Sequence, residues 1–387
     1  MSRSTGVTAA AGFVASGIAA GIKGSGNPDL ALVRNVGPHF AAAAVFTANR
    51  IKAAPVQWSE QVIKDGRLQA VILNSGGANA CTGPDGFADT HQTAEQVAQA
   101  LQIGAIDVAV CSTGLIGTRL PMPKFAEAIP TLVEQASSDG GLDAATAIMT
   151  TDTHPKQASV SGDGWTVGGM AKGAGMLAPG LATMLVVITT DAVIDAEQLD
   201  AALRSATSVT LDRLDSDGCM STNDTVIVMG NGASSVTPDN AEFTAALTEV
   251  CHRLGQQLLD DAEGAAHCIS INVAGAATES DALTVGRTIA RNNLFKCAVF
   301  GQDPNWGRVL AAIGTTDAAY EPDRLDVSFN NVRVCIGGAI GEDRELVDLS
   351  GREVTVDVNL HAGDRSATIW TNDLTYDYVK ENAEYSS

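Results

Sequence analysis

The segment Lys172-Gly-Ala-Gly-Met-Leu-Ala-Pro-Gly-Leu-Ala-Thr183 sets a small, glycine-loosened loop directly in front of an apolar run. That run, from Met184 to Thr190, is rich in β-branched residues and reads as a buried strand. A threonine at the mouth of a buried strand, behind a flexible loop, can be released as a new N-terminus. An N-terminal threonine carries a hydroxyl nucleophile and an α-amino base on one residue. Its free amine titrates at about 7.7–8.0 and is partly unprotonated at neutral pH, which suits it to general-base work.

Around this segment, extended and helical patterns alternate. Residues 68–75 and 107–112 read as buried strands, with a helix between them over 88–101. After Thr183 come a strand, a helix over 195–211 opened by Asp195, and a strand over 224–229. Phe243, Leu247, Val250, Leu254 and Leu258 recur at helical spacing, so that stretch predicts an amphipathic helix ending near Gly264. A strand over 269–274 follows, and the last third reads as short strands. The alternation predicts layered α/β architecture. Near residue 275 helical patterns give way to predominantly short strands, which suggests a larger domain over 1–275 and a smaller, strand-rich one over 276–387.

Composition narrows the function classes. A net charge of −21 with no basic cluster argues against nucleic acid and against anionic membrane surfaces. The 387 residues are 45% hydrophobic and only 4% aromatic, and no run approaches the ~18 apolar residues of a membrane span. Arg3 followed by an Ala/Gly-rich run to Ile22 imitates a secretory signal, but it is poor in bulky residues and Lys23 interrupts it. Seven irregularly spaced cysteines without a CxxC predict reduced thiols. The cytoplasm is the expected compartment.

Several familiar chemistries fail on local context. Gly173-Ala-Gly175-Met-Leu-Ala178 fits a loose dinucleotide fingerprint, but Pro179, Gly180 and a strand follow where a helix would have to begin. Cys251-His252 and His267-Cys268 lack recognised metal-ligand spacing, and Cys251 falls on the apolar stripe of its helix. No nucleophile elbow supports a Ser/His/Asp triad.

The loop and five further motifs resemble the ornithine acetyltransferase (glutamate N-acetyltransferase) family. These are Cys111-Ser-Thr-Gly-Leu-Ile-Gly117, Ile148-Met-Thr-Thr-Asp-Thr153, Asp261-Ala-Glu-Gly264, Asp303-Pro-Asn-Trp-Gly-Arg308 and Glu381-Asn-Ala-Glu-Tyr-Ser-Ser387. The resemblance implies a self-processing layered α/β sandwich of two domains with mixed sheets. It implies cleavage between Ala182 and Thr183 into fragments 1–182 and 183–387, assembled as two alpha and two beta chains. Thr183 would then move an acetyl group from N-acetylornithine to glutamate by double displacement, a step of arginine biosynthesis.

By the same resemblance, Thr113 and Gly114 stabilise the oxyanion, through the threonine hydroxyl and the glycine N–H. Thr150, with Thr151 the adjacent alternative, Lys172, Glu263, Asn382 and Ser387 bind substrate. The C-terminal tail is expected over the pocket, Asp260 and Asp261 as a solvated helix end, and 303–308 as a bracing turn with Arg308 in an ion pair. No metal or prosthetic group is implied. Acetyl-CoA is the one co-substrate the family leaves open. A related self-processing amidohydrolase or aminopeptidase, in which water takes the acyl group, is the competing reading.

Overall fold

The computed structural model describes residues 6–178 and 184–384. Ala182, Thr183 and Ser387 lie outside the described residues. The chain forms two compact units. Of the described residues, the first takes 6–174, 184–212 and 220–258, and the second takes 175–178, 213–219 and 259–384.

The first unit holds two sheets. One runs β1 (Phe13–Ile18), β2 (Leu30–Asn35), β4 (Ala70–Asn74), β5 (Val108–Ser112), with β4 and β5 parallel. The other runs β3 (Ala41–Phe46), β9 (Thr225–Gly230), β8 (Leu185–Thr190), β7 (Thr166–Lys172), β6 (Lys156–Ser161), with β8 and β9 parallel. Alternation along the strands assigns their faces. Val33, Val71, Leu73 and Cys111 of the first sheet share one core with Met170, Leu185, Val187 and Ile227 of the second. The intervening residues Leu32, Ile72 and Val110 pack instead with Val97, Leu101, Phe125 and Ile129 of helices Gly83–Leu101 and Met122–Glu134. On the far face of the second sheet, Gly169 lies against Leu254 and Val250 of helix Asn240–Asp260. The sheets are therefore the inner layers and helices the outer ones. This accounts for the continuous apolar run of β8, which is covered on both faces.

The sequence-read elements sit close to expectation. The predicted strands correspond to β4, β5, β8, β9 and β10. Asp195 closes a capping box at the head of helix Ala196–Ser208, which stops three residues short of the predicted end. The Ala/Gly-rich segment near the N-terminus supplies β1.

The second unit is built on one sheet. Its strands are β10 (Cys268–Ala276), β11 (Asp326–Phe329), β12 (Val332–Ile336), β13 (Ala339–Ile340), β14 (Glu353–Asn359) and β15 (Arg365–Asn372). They lie in the order β13-β12-β11-β14-β10-β15. Residue 275, the boundary suggested by the sequence, falls inside β10. Three helices follow it directly, Glu279–Ala290, Asn293–Phe300 and Trp306–Ile313, so this stretch is not predominantly strand. Their buried faces (Val285, Ile289, Phe295, Val309) join Ile271, Val356 and Ile369 in one core.

The motif 303–308 is a helix start rather than a bracing turn with an Arg308 ion pair. Asn305 caps helix Trp306–Ile313 by accepting from the Arg308 N–H. The Arg308 guanidinium donates to the Leu294 carbonyl at 2.5 Å, and the ion pair of this motif joins Asp303 to Arg344.

Candidate active site

In the first unit the candidate residues gather at strand ends. Thr113 follows β5 and continues its ladder, donating its N–H to the Asn74 carbonyl at 2.9 Å. It points to the same side as Cys111, towards the core between the sheets. Lys172, the last residue of β7, has the parity of Met170 and comes to that same side. The two meet there, with Lys172 Nζ 3.4 Å from Thr113 Oγ1 and both residues only 2% exposed. As a bare sequence observation Lys172 reads as a solvated surface lysine; the fold buries it.

Gly114 has φ +127°, and a Cβ there would lie 2.7 Å from the Gly77 nitrogen. Only glycine fits this turn without displacing backbone. Buried amides hold it in place. Ser112 Oγ donates to Asn74 Oδ1 at 2.6 Å, and Asn223 Nδ2 donates to the carbonyls of Ala78 and Ser112 at 2.6 and 2.8 Å.

Thr150 joins this cluster through Asp152, whose Oδ2 accepts from the Thr150 N–H at 2.9 Å and from its hydroxyl at 3.4 Å. Thr151 is exposed. Asp152 also accepts from Lys156 Nζ at 2.6 Å and from the Gly173 N–H at 2.7 Å, and lies 4.0 Å from Lys172 Nζ. Burial alone would raise the Asp152 carboxyl. Lys172 and Lys156 beside it, with the hydrogen bonds from Lys156 and Thr150, outweigh burial and hold it well below the usual carboxylate range.

Asp152 lies within a quoted motif, yet neither its burial nor its role was legible. Lys23, in the sequence only an interruption of the Ala/Gly-rich run, also reaches this region. Its ammonium donates to the carbonyl of Met149, next to Thr150, at 2.5 Å and to that of Pro28 at 3.1 Å.

Met184, the first described residue after position 183, donates its N–H to Asp224 Oδ1 at 3.1 Å. Asp224 is fully buried, and its Oδ2 finds no hydrogen-bond partner among the described residues. Burial pushes its carboxyl well above the usual range, against the Met184 N–H, Ser221 and the nearby Lys172 charge. Sequence inspection saw only a polar residue opening a strand.

Glu263 belongs to the second unit. It lines a cavity of about 90 Å³ together with Asp217, Arg291, Lys296, Asn372 and Tyr378. Gly175 approaches it so closely that a Cβ would sit 2.6 Å from the Glu263 carboxylate. Gly264, at φ +60°, leaves no room for a side chain, since a Cβ there would lie 2.1 Å from the Tyr378 nitrogen, and Thr375 Oγ1 donates to the Gly264 carbonyl at 2.6 Å. The helix before Glu263 ends at Asp260, and Asp261 is buried rather than solvated. The tail forms helix Tyr376–Glu384. Asn382 does not line the cavity; it is exposed, and its amide donates to the Tyr378 carbonyl one turn back at 3.0 Å.

Charges around this cavity are strongly perturbed. Lys296 donates to the Ser216 carbonyl and, at 3.3 Å, to Thr371 Oγ1. Burial pulls its ammonium down to about 8, although Asp217, Asp215 and Asp373 favour the charge. Asp215 pairs with Arg291 at 2.8 Å, but burial pushes it up to about 6.

The paired Cys/His motifs do other work. Cys251 is core, and His267 Nδ1 lies 2.7 Å from Asp373 Oδ2. One trio of potential ligand atoms, from Asp260, Cys268 and Glu353, lies within 4.8 Å; there the Cys268 thiol donates to Asp260 at 3.2 Å. Among the described residues no helix is long and apolar enough to cross a membrane.

Layered mixed sheets, with a buried lysine and hydroxyl beside a glycine-only turn, are the frame of an α/β enzyme. The ArgJ family model matches residues 14–387. The arginine biosynthesis bifunctional protein ArgJ of Streptomyces coelicolor is 66% identical over 98% of this chain and 100% of its own length. That of Mycobacterium leprae is 58% identical over 100% of this chain and 97% of its own. The crystal structure of ornithine acetyltransferase complexed with ornithine from Mycobacterium tuberculosis is 62% identical. It covers 47% of this chain and 97% of its own, with a TM-score of 0.45. The chain belongs to the ArgJ family, and it is an acyltransferase of that family.

Proposed function

We propose that the chain cleaves itself between Ala182 and Thr183 and then carries acetyl from N-acetylornithine to glutamate on the Thr183 hydroxyl. The observation that carries this reading is the Lys172–Thr113 contact beside the glycine-only turn at Gly114. These groups end the strands that lead into residues 114 and 173, and Met184, directly after the nucleophile, is tied to buried Asp224.

In the first half-reaction the Thr183 α-amine takes the hydroxyl proton while Oγ attacks the acetyl carbonyl carbon. Thr113 and the Gly114 N–H stabilise the oxyanion. The C–N bond breaks, the α-amine passes its proton to the leaving ornithine nitrogen, and an acetyl ester remains. In the second half the glutamate amine attacks that ester, the C–O bond breaks, and the proton that the attacking nitrogen loses passes through the Thr183 α-amine to Oγ. Lys172 and Thr150 bind the substrate carboxylate. Glu263, Asn382 and Ser387 are the further substrate contacts that the family resemblance assigns. We place the mature protein in the cytoplasm as two alpha and two beta chains. No metal or prosthetic group takes part, and acetyl-CoA is a second donor to be tested, since the relatives are named bifunctional.

The test is incubation with N-acetylornithine and no acceptor. The fragment beginning at Thr183 should gain the mass of one acetyl group and lose it on addition of glutamate, with N-acetylglutamate formed. An ester that water discharges as fast as glutamate would instead support the amidohydrolase reading.

A further inference from the structure

The polar cluster of the first unit is centred on a residue that the acetyl-transfer reading leaves unused. The Asp152 side chain is 0% exposed and gathers groups from three separate segments. One oxygen takes Lys156 Nζ, at the start of β6, and the Gly173 N–H, just past the end of β7. The other takes the Thr150 N–H and hydroxyl and faces Lys172 at 4.0 Å. A buried carboxylate fixed at this many points cannot shift without breaking several charge-assisted bonds. Removing such a partner leaves buried ammonium groups poorly compensated in a low-dielectric site.

We propose that Asp152 is a positioning residue of the acetyl-transfer site: it fixes Lys172, Thr150 and the opening of the 173–178 loop in one geometry, and keeps Lys172 charged for the substrate carboxylate. This rests on the reading that Thr113, Thr150 and Lys172 face the substrate. It explains why two lysines are buried so close together. Lys156 opens β6 and Lys172 closes β7 at the open end of the β6–β7 hairpin, so a single aspartate is held by both strands. Among the described residues, Lys23, itself beside Asp29, and Asp224 also act on Lys172.

The experiment compares wild type with Asp152→Asn, Asp152→Glu and Lys156→Met by intact mass, thermal melting and acetyl-transfer kinetics across pH. Asp152→Asn keeps the shape but removes the charge. Its kcat/KM should fall about 100-fold, the scale of a misplaced binding group. The loss should lie mainly in KM, and the alkaline limb of the profile should move to lower pH. Asp152→Glu should return that limb to its wild-type position while KM stays raised, because the charge is restored and the reach altered. Lys156→Met should lower the melting temperature without moving the limb downward. A folded Asp152→Asn with wild-type KM and limb overturns the proposal. If that variant does not fold, Asp152→Glu with wild-type KM overturns it equally. An uncut, inactive wild type would overturn this and the transfer reading together; an active wild type with indifferent Asp152 variants would remove only Asp152.

Discussion

In the first unit Asp152 accepts four hydrogen bonds and faces a second lysine, whereas in the second unit Lys296 lines a cavity and Asp215 pairs with Arg291 of its lining, and their charges are met only in part. Both groups of charges are buried, yet they move in opposite senses. The Asp152 carboxyl is held below its ordinary range, which marks an ionised form that the fold stabilises. Lys296 is pulled down to about 8 and Asp215 pushed up to about 6, which marks charged forms that the fold disfavours. One Asp215 oxygen also lacks a hydrogen-bond partner among the described residues. The lesson is that burial does not set charge state; the number and placement of partners does. A preorganised cluster suits fixed positioning, while a cavity with poorly compensated charges suits a ligand that completes it.

The contrast can be broken by substitutions on either side. The largest effect is expected from Gly114→Ala, which places a Cβ 2.7 Å from a backbone nitrogen at a left-handed φ. Activity should be lost and stability reduced by about 1–3 kcal/mol, read by denaturant melts. Thr113→Val removes one hydroxyl donor and should lower kcat about 100-fold with the melt little changed. A near-wild-type kcat would take Thr113 out of the oxyanion role.

A third prediction uses pH. The Lys296 value near 8 lies below the ~10.4 of an unfolded lysine, so between them the unfolded chain holds more protons and stability rises with pH. Asp152 acts on the acid side. Its carboxyl is lowered, so its contribution is full above about pH 4, the unfolded value, and is lost as pH falls further. Melting temperatures of Lys296→Met should therefore lose the alkaline rise but keep the acid fall. Retention of the rise would show that Lys296 is not its source. The smallest effect is expected from Gly175→Ala. Its Cβ meets the movable end of Glu263 rather than backbone, so kcat/KM should drop only a few-fold with the fold intact.

Much of the first unit was legible because its inner strands are covered on both faces and so read as unbroken apolar runs, as in β4, β5 and β8. The helix over Asn240–Asp260 announced itself by its stripe of Leu and Val. Helix Glu279–Ala290 did not, because Thr284, Val285, Thr288, Ile289 and Gly286 are weak helix formers. Packing overrides propensity there, and Gly286 is small because Ile369 of β15 presses on it. Strand β7 hid for a related reason, since Gly168 and Gly169 admit close neighbours and dilute the strand signal.

At the site, Thr113, Gly114, Thr150, Lys172 and Glu263 were marked by motif resemblance. Asp152, Asp224 and Lys296 were not, because a buried charge looks like a surface charge until the fold supplies its neighbours. Asn382, five residues before the last, was also marked by motif resemblance, and its amide donates to the Tyr378 carbonyl of its own helix.

The most direct test of the account is the intact mass of purified protein under denaturing conditions, wild type beside Thr183→Ala. The account predicts two wild-type species that divide the chain between Ala182 and Thr183, and one full-length species for the variant. A single full-length wild-type chain that nevertheless transfers acetyl, or a variant cut at the same bond, would contradict it.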